Sequence, residues 1–112
     1  MKIAIIGAGS QGVGLAGLLV SEPDVESILL ADAFPAALES AKNNLALVKD
    51  RTKCPEIRYE TVDASDVDSV ANLIKGYDIV FEAILPIYNV PVMKACLKAG
   101  CHYLDLIAAP AE

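Results

Sequence analysis

Cationic residues are scarce in this 112-residue chain: nine Lys and Arg stand against fifteen Asp and Glu, for a formal net charge of -6. Such a surface repels phosphate backbones and anionic lipid, so neither nucleic acid nor a membrane is expected as a partner. Cysteine is limited to Cys54, Cys96 and Cys101, an odd number without a CxxC spacing, which argues against a disulfide framework or a zinc knuckle. Reduced core thiols fit better, and with them a cytoplasmic location. His102 is the single histidine, and no set of ligands at suitable spacing suggests a metal. No apolar run reaches the roughly 20 residues that a membrane helix needs. The apolar N-terminal stretch with its early lysine could pass for a signal peptide, but glycines, Ser10 and Gln11 interrupt it where a strand-to-helix turn would lie.

What the chain does have is apolar mass, with 54% hydrophobic residues. That level fits a sheet buried on both faces, and the length fits one domain over 1–112 with a single core. Residues 2–6 form a short isoleucine-rich run closed by Gly7, read as a central strand. A helix follows over about 10–21, with Val13, Ala16 and Val20 on one face and Pro23 closing it. Residues 27–31 read as a second buried strand. Pro35 then opens a helix with Leu38, Ala41, Leu45 and Val48 inward, and Glu39, Asn43 and Lys49 outward.

Residues 57–62 alternate apolar and polar, the pattern of a half-exposed strand near a sheet edge. Ser65 is expected to cap a helix carrying Val67, Val70 and Ile74 and ended by Gly76. A strand over 78–85, a helix over 89–99 stopped by Gly100, and a strand over 102–106 complete the order βαβαβαβαβ. Strict alternation with short connections requires parallel strands and right-handed crossovers. The expected fold is therefore α/β, a Rossmann-type doubly wound sheet with strand order 3-2-1-4-5 between two helical layers.

Gly7-Ala8-Gly9-Ser10-Gln11-Gly12 is GxGxxG between a strand and a helix, the context that gives this otherwise weak pattern meaning. Gly7 permits the turn, Gly9 lets backbone approach a pyrophosphate, and Gly12 lets helix and strand pack closely. The N–H groups of Ser10, Gln11 and Gly12 and the positive end of the helix would face the diphosphate. Asp32 follows Gly12 by 20 residues at a strand end, where its carboxylate can bind both adenosine ribose hydroxyls and repel a 2′-phosphate. No Arg or Lys occurs between it and Lys42, so NAD is favoured over NADP. Rival patterns fail: the short-chain dehydrogenase turn needs glycine at Ala8 and a Tyr followed four residues later by Lys, and the methyltransferase turn needs glycine at Gln11.

Together with that turn, Leu85-Pro86, Asn89, Pro91, Ala95-Cys96 and the run from Ala99 through His102-Tyr103-Leu104-Asp105 resemble the N-terminal cofactor domain of saccharopine dehydrogenase-like proteins, over almost the whole chain. The resemblance implies cofactor contacts by Asp63 and Ala64 near the adenine, and by Leu85 and Pro86 near the pyrophosphate or nicotinamide ribose. For Asp63, capping of the next helix is an equal alternative. His102 is read as a hydrogen-bonded residue of a buried strand rather than an acid or base. Asp105 is the candidate that would meet a substrate amine at the crevice. Tyr88 and Tyr103 line a pocket or pack as core aromatics, while Cys96 and Cys101 are read as core fillers.

The resemblance further implies hydride transfer between a nicotinamide and an amino-acid-derived C–N bond. The substrate domain and most catalytic residues are expected beyond Glu112, and a homodimer stays open. The rival reading is a nucleotide-sensing regulatory domain of the potassium-transport type, which shares the glycine turn, the strand-two Asp and a stretch like Asp63-Ala64-Ser65-Asp66. The loop at Pro86 and the His102-Tyr103-Leu104-Asp105 ending argue against it.

Overall fold

The computed structural model describes residues 1–48 and 56–106; Lys49 and Cys54 fall outside the described residues. At its centre lie β1 (Lys2–Ile6) and β2 (Ser27–Asp32), each with four consecutive buried residues. Strands covered on both faces need such runs, because successive side chains point to opposite sides and both sides are core. Ala4, Ile6, Leu29 and Ala31 join one apolar cluster with Val70 and Val92. Ile3, Ile5, Ile28 and Leu30 join a second with Ala16 and Ala41. Two apolar layers on one sheet make the expected three-layer arrangement.

The sheet is parallel throughout, in the order β3-β2-β1-β4-β5. Its helices are α1 (Ser10–Leu19), α2 (Pro35–Leu45), α3 (Val67–Ile74) and α4 (Asn89–Ala99). β3 (Glu56–Thr61) is the half-exposed edge that its alternation implied. Strand order reverses between β1 and β4 (Ile79–Glu82), which opens a crevice at their carboxyl ends. Among the described residues, no helix is long and apolar enough to cross a membrane.

Three local expectations are corrected. β4 is shorter than the apolar run over 78–85. After Glu82, Ala83 still donates its N–H to Ile6 O at 2.8 Å, and then Pro86, which has no N–H to donate, opens a 3-10 turn (Pro86–Tyr88) leading into α4. β5 (His102–Asp105) has one neighbour among the described residues, and His102 on it is exposed rather than held in the core. Only Tyr103 of this strand packs against the cluster beneath α3 and α4.

The third correction concerns the start of α3, which Asp66 caps instead of Ser65. Asp66 Oδ1 accepts the Ser69 N–H at 3.1 Å, and its Oδ2 accepts the Ser69 hydroxyl at 2.8 Å. Ser65 is turned back to Asp63, whose Oδ1 accepts both its N–H at 2.9 Å and its hydroxyl at 2.6 Å. The Ser69 amide and then its hydroxyl hold the Asp66 carboxyl below its ordinary pKa. A carboxyl lowered on folding stabilises above its unfolded pKa and loses that contribution as pH falls through the folded value. Asp66→Ala therefore lowers the Tm by a few degrees at neutral pH, and thermal melts of variant and parent converge in acid below the carboxylate range.

Candidate functional site

The glycine turn is assembled by contacts that tolerate no side chain. Gly7 has φ +118° and donates its N–H to Ala31 O at 2.6 Å, and a Cβ there would lie 2.7 Å from Ala83 O. A Cβ on Gly12 would lie 1.8 Å from Gly7 O. Helix α1 can start where it does only because both positions are bare. Gly9 differs: it is the N-cap at φ -76°, and a Cβ on it meets nothing within 4 Å.

The N-terminus of α1 has no side-chain cap and no acid in its first turn. Its leading N–H groups have no acceptor within the helix and point outward beside Gly9. An uncapped helix end with a glycine on its open side fits an anionic diphosphate. Ser10 and Gln11 are exposed on this end.

Asp32 ends β2 next to the turn, and the structure gives it a bracing role that its spacing alone did not reveal. Its Oδ2 accepts the Ala8 N–H at 2.8 Å and its Oδ1 accepts the Phe34 N–H at 2.9 Å. Each carboxylate oxygen accepts more than one hydrogen bond, so capacity remains for two ribose hydroxyls.

Asp32 lines a crevice of about 500 Å³ with Gly7, Phe34, Asp63, Ala64 and Leu85. Five predicted residues from four connections thus converge on one cleft at the carboxyl ends of the strands. Pro86 follows directly, as the first residue of the 3-10 turn. Asp63 does not cap α3, a place Asp66 takes; its Oδ1 accepts from Ser65, and the residue lines the crevice wall. Ser65, first through its hydroxyl and then through its N–H, holds the Asp63 carboxyl below its usual range.

Asp105 is not among the residues lining this cleft. It lies exposed at the end of β5, paired in register with Glu82, and faces the Tyr103 hydroxyl at 3.2 Å. Among the described residues, neither cysteine offers a nucleophile: burial pushes the Cys96 thiol up to about 12, and burial likewise raises Cys101, whose thiol donates to Tyr77 O at 3.1 Å.

Two residues escaped sequence reasoning. Phe34 is 71% exposed on the crevice lip, and an aromatic side chain two places after a strand-end carboxylate was the available signal. Glu82 is fully buried, and a lone acid inside the apolar run from Ile79 to Ile84 could have marked it.

Residues 3–112 match the family model described as "Saccharopine dehydrogenase NADP binding domain". Carboxynorspermidine synthase of Vibrio alginolyticus is 38% identical over 118 residues, covering 97% of this chain and 27% of that protein. Carboxyaminopropylagmatine dehydrogenase of a Synechocystis species is 29% identical over 106 residues, covering 93% of this chain and 25% of that protein. The chain thus spans about a quarter of the length of these relatives. Among solved structures, the saccharopine dehydrogenase (L-Glu forming) of Saccharomyces cerevisiae superposes with a TM-score of 0.77 at 12% identity, over 97% of this chain and 22% of that one, a likeness of fold. With a glycine turn, a strand-end carboxylate and a matching family model over nearly its whole length, the chain belongs to the saccharopine dehydrogenase NADP-binding domain family, whose ligand is a nicotinamide dinucleotide.

Proposed function

We propose that this domain seats NAD in preference to NADP and presents its nicotinamide for hydride exchange with an amino-acid-derived C–N bond, the substrate being held by another domain or chain. The observation that carries this reading is Asp32, whose carboxylate is fixed by the Ala8 and Phe34 amides at the lip of the cleft. A fixed negative charge accepts hydroxyl hydrogen bonds and opposes a phosphate in the same place.

Each chain segment then has a role. The α1 N–H groups of Ser10, Gln11 and Gly12 hold the pyrophosphate, with Gly7 and Gly9 keeping the approach clear. Phe34 stacks against the adenine, which Asp63 and Ala64 border. Leu85 and Pro86 border the nicotinamide end and exclude water from it. When bound, the nicotinamide supplies the hydride acceptor or donor. Asp105, exposed at the end of β5, orients a substrate amine. The relatives named as a dehydrogenase and a synthase of carboxylated polyamine compounds support an amine-bearing substrate, and support an enzyme domain over a nucleotide sensor.

Competitive titration tests the cofactor preference. NADH displaces a bound fluorescent dinucleotide at a lower concentration than NADPH, by about tenfold or more, as expected when one phosphate meets one carboxylate. Tighter NADPH binding sinks the assignment to NAD.

A further inference from the structure

Glu82 is a charged residue with no exposure, and its partners form a chain leading out of the core. The Tyr103 hydroxyl lies 2.5 Å from Glu82 Oε2 and 3.2 Å from Asp105 Oδ2. Parallel register sets Glu82 beside Asp105, and the period of a strand puts Tyr103 and Asp105 on the same face of β5. The Asn89 amide, oriented with nitrogen toward the acid because the reverse would oppose oxygen to oxygen, donates to Glu82 at 2.9 and 2.6 Å. Asn89 opens α4 directly after the Pro86 turn, so the buried acid also faces the positive end of a helix.

One hydroxyl proton cannot be given to two carboxylates at once. With both acids ionised, Tyr103 satisfies Glu82 and leaves its own lone pairs facing a negative Asp105. With one proton added, the chain closes, because each oxygen then meets a hydrogen. We propose that Glu82, Tyr103 and Asp105 form a proton-sharing relay, in which a carboxyl sealed in the core sets the protonation of the acid at the end of β5, and Asn89 ties that unit to the turn at Pro86. When Glu82 holds the proton and Asp105 is ionised, the proton passes to Tyr103 Oη as the tyrosine's own proton passes to Asp105 Oδ2. Glu82 is then ionised, Asp105 neutral and the tyrosine unchanged, so charge and atoms balance.

The surroundings favour sharing. Burial raises the Glu82 carboxyl above its ordinary pKa, the Tyr103 hydrogen bond pulls it down, and the charge of Asp105 raises it again. Burial first, then hydrogen bonding to Glu82, holds Tyr103 far above a normal phenol, so it relays protons without ionising. Among the described residues, the other titratable group facing Glu82 is the Cys96 thiol on α4, which at about 12 stays neutral. Glu82 and Tyr103 are thus positioning residues, and Asp105 is the end of the relay available to a substrate amine. Its use in catalysis rests on the proposed hydride transfer, whereas the proton coupling does not.

Carboxyl-carbon NMR titration of the full chain, with NADH binding measured on the same samples, separates the two. In Tyr103→Phe the Glu82 midpoint rises by about one pH unit, the worth of a hydrogen bond to a charged group, and in Asp105→Asn, at an exposed site, it falls. The fall that Asp105→Asn causes in the Glu82 midpoint is smaller when Tyr103 is already Phe, because the hydroxyl carries the coupling. A Glu82 midpoint that is the same in the parent and both variants overturns the relay, whatever happens to NADH. Absence of NADH binding by the parent with the midpoint shifts intact overturns the cofactor reading alone.

Discussion

Gly12→Ala costs the domain about 3 kcal/mol of folding stability, at the top of the usual range for overpacking, and brings NADH binding below detection. The added Cβ would lie 1.8 Å from Gly7 O, a backbone atom. A flexible side chain could swing away, but here α1 must shift off β1, and that moves every N–H facing the diphosphate. A thermal melt reads the first effect and a fluorescence titration with NADH the second.

Gly9→Ala separates the two. Its Cβ meets no protein atom within 4 Å and its backbone is ordinary for alanine, so the melt is unchanged. Its affinity for NADH falls only if the dinucleotide approaches that backbone. A Gly9→Ala chain that binds NADH as the parent does refutes the glycine turn as the pyrophosphate seat.

Asp32→Ala produces the second large effect, a loss of NADH affinity of about thirtyfold, or roughly 2 kcal/mol, the range for hydrogen bonds to a charged group. Two losses combine. The ribose hydroxyls lose their acceptor, and the Ala8 and Phe34 amides, held at 2.8 and 2.9 Å, lose the brace that shapes the turn. NADPH suffers less because a repulsive charge disappears along with the attractive one, so the ratio of the two affinities narrows. Parallel titrations of NADH and NADPH measure it. Equal losses for both reduce Asp32 to the brace and remove it as the discriminator.

These two positions were legible before any coordinates because their signals are local. A glycine spacing after an isoleucine run, and an acid 20 residues beyond Gly12, reflect chain geometry alone. The boundaries were less legible. Residues 78–85 are apolar enough to extend a strand, yet pairing ends at Glu82, because a proline without an N–H and the packing of Gly7 against Ala83 turn the chain away from the sheet. Asp66 displaced Ser65 as the cap because Asp63 captured the serine first, a competition between neighbours that composition does not rank.

What the sequence determined by itself was the alternation of elements, the burial of β1 and β2 on both faces, the strand order and the glycine turn. All of these arise from periodicity and from connections that cover few residues. Only the tertiary structure decided that His102 lies outward on β5, that Asp32 braces the turn as well as facing the cleft, and that buried Glu82 meets Tyr103 and Asn89, with the exposed Asp105 reached through the tyrosine hydroxyl. The reason is that lateral neighbours in a parallel sheet are set by register between strands tens of residues apart, and a side chain's partner across that distance leaves no spacing to read.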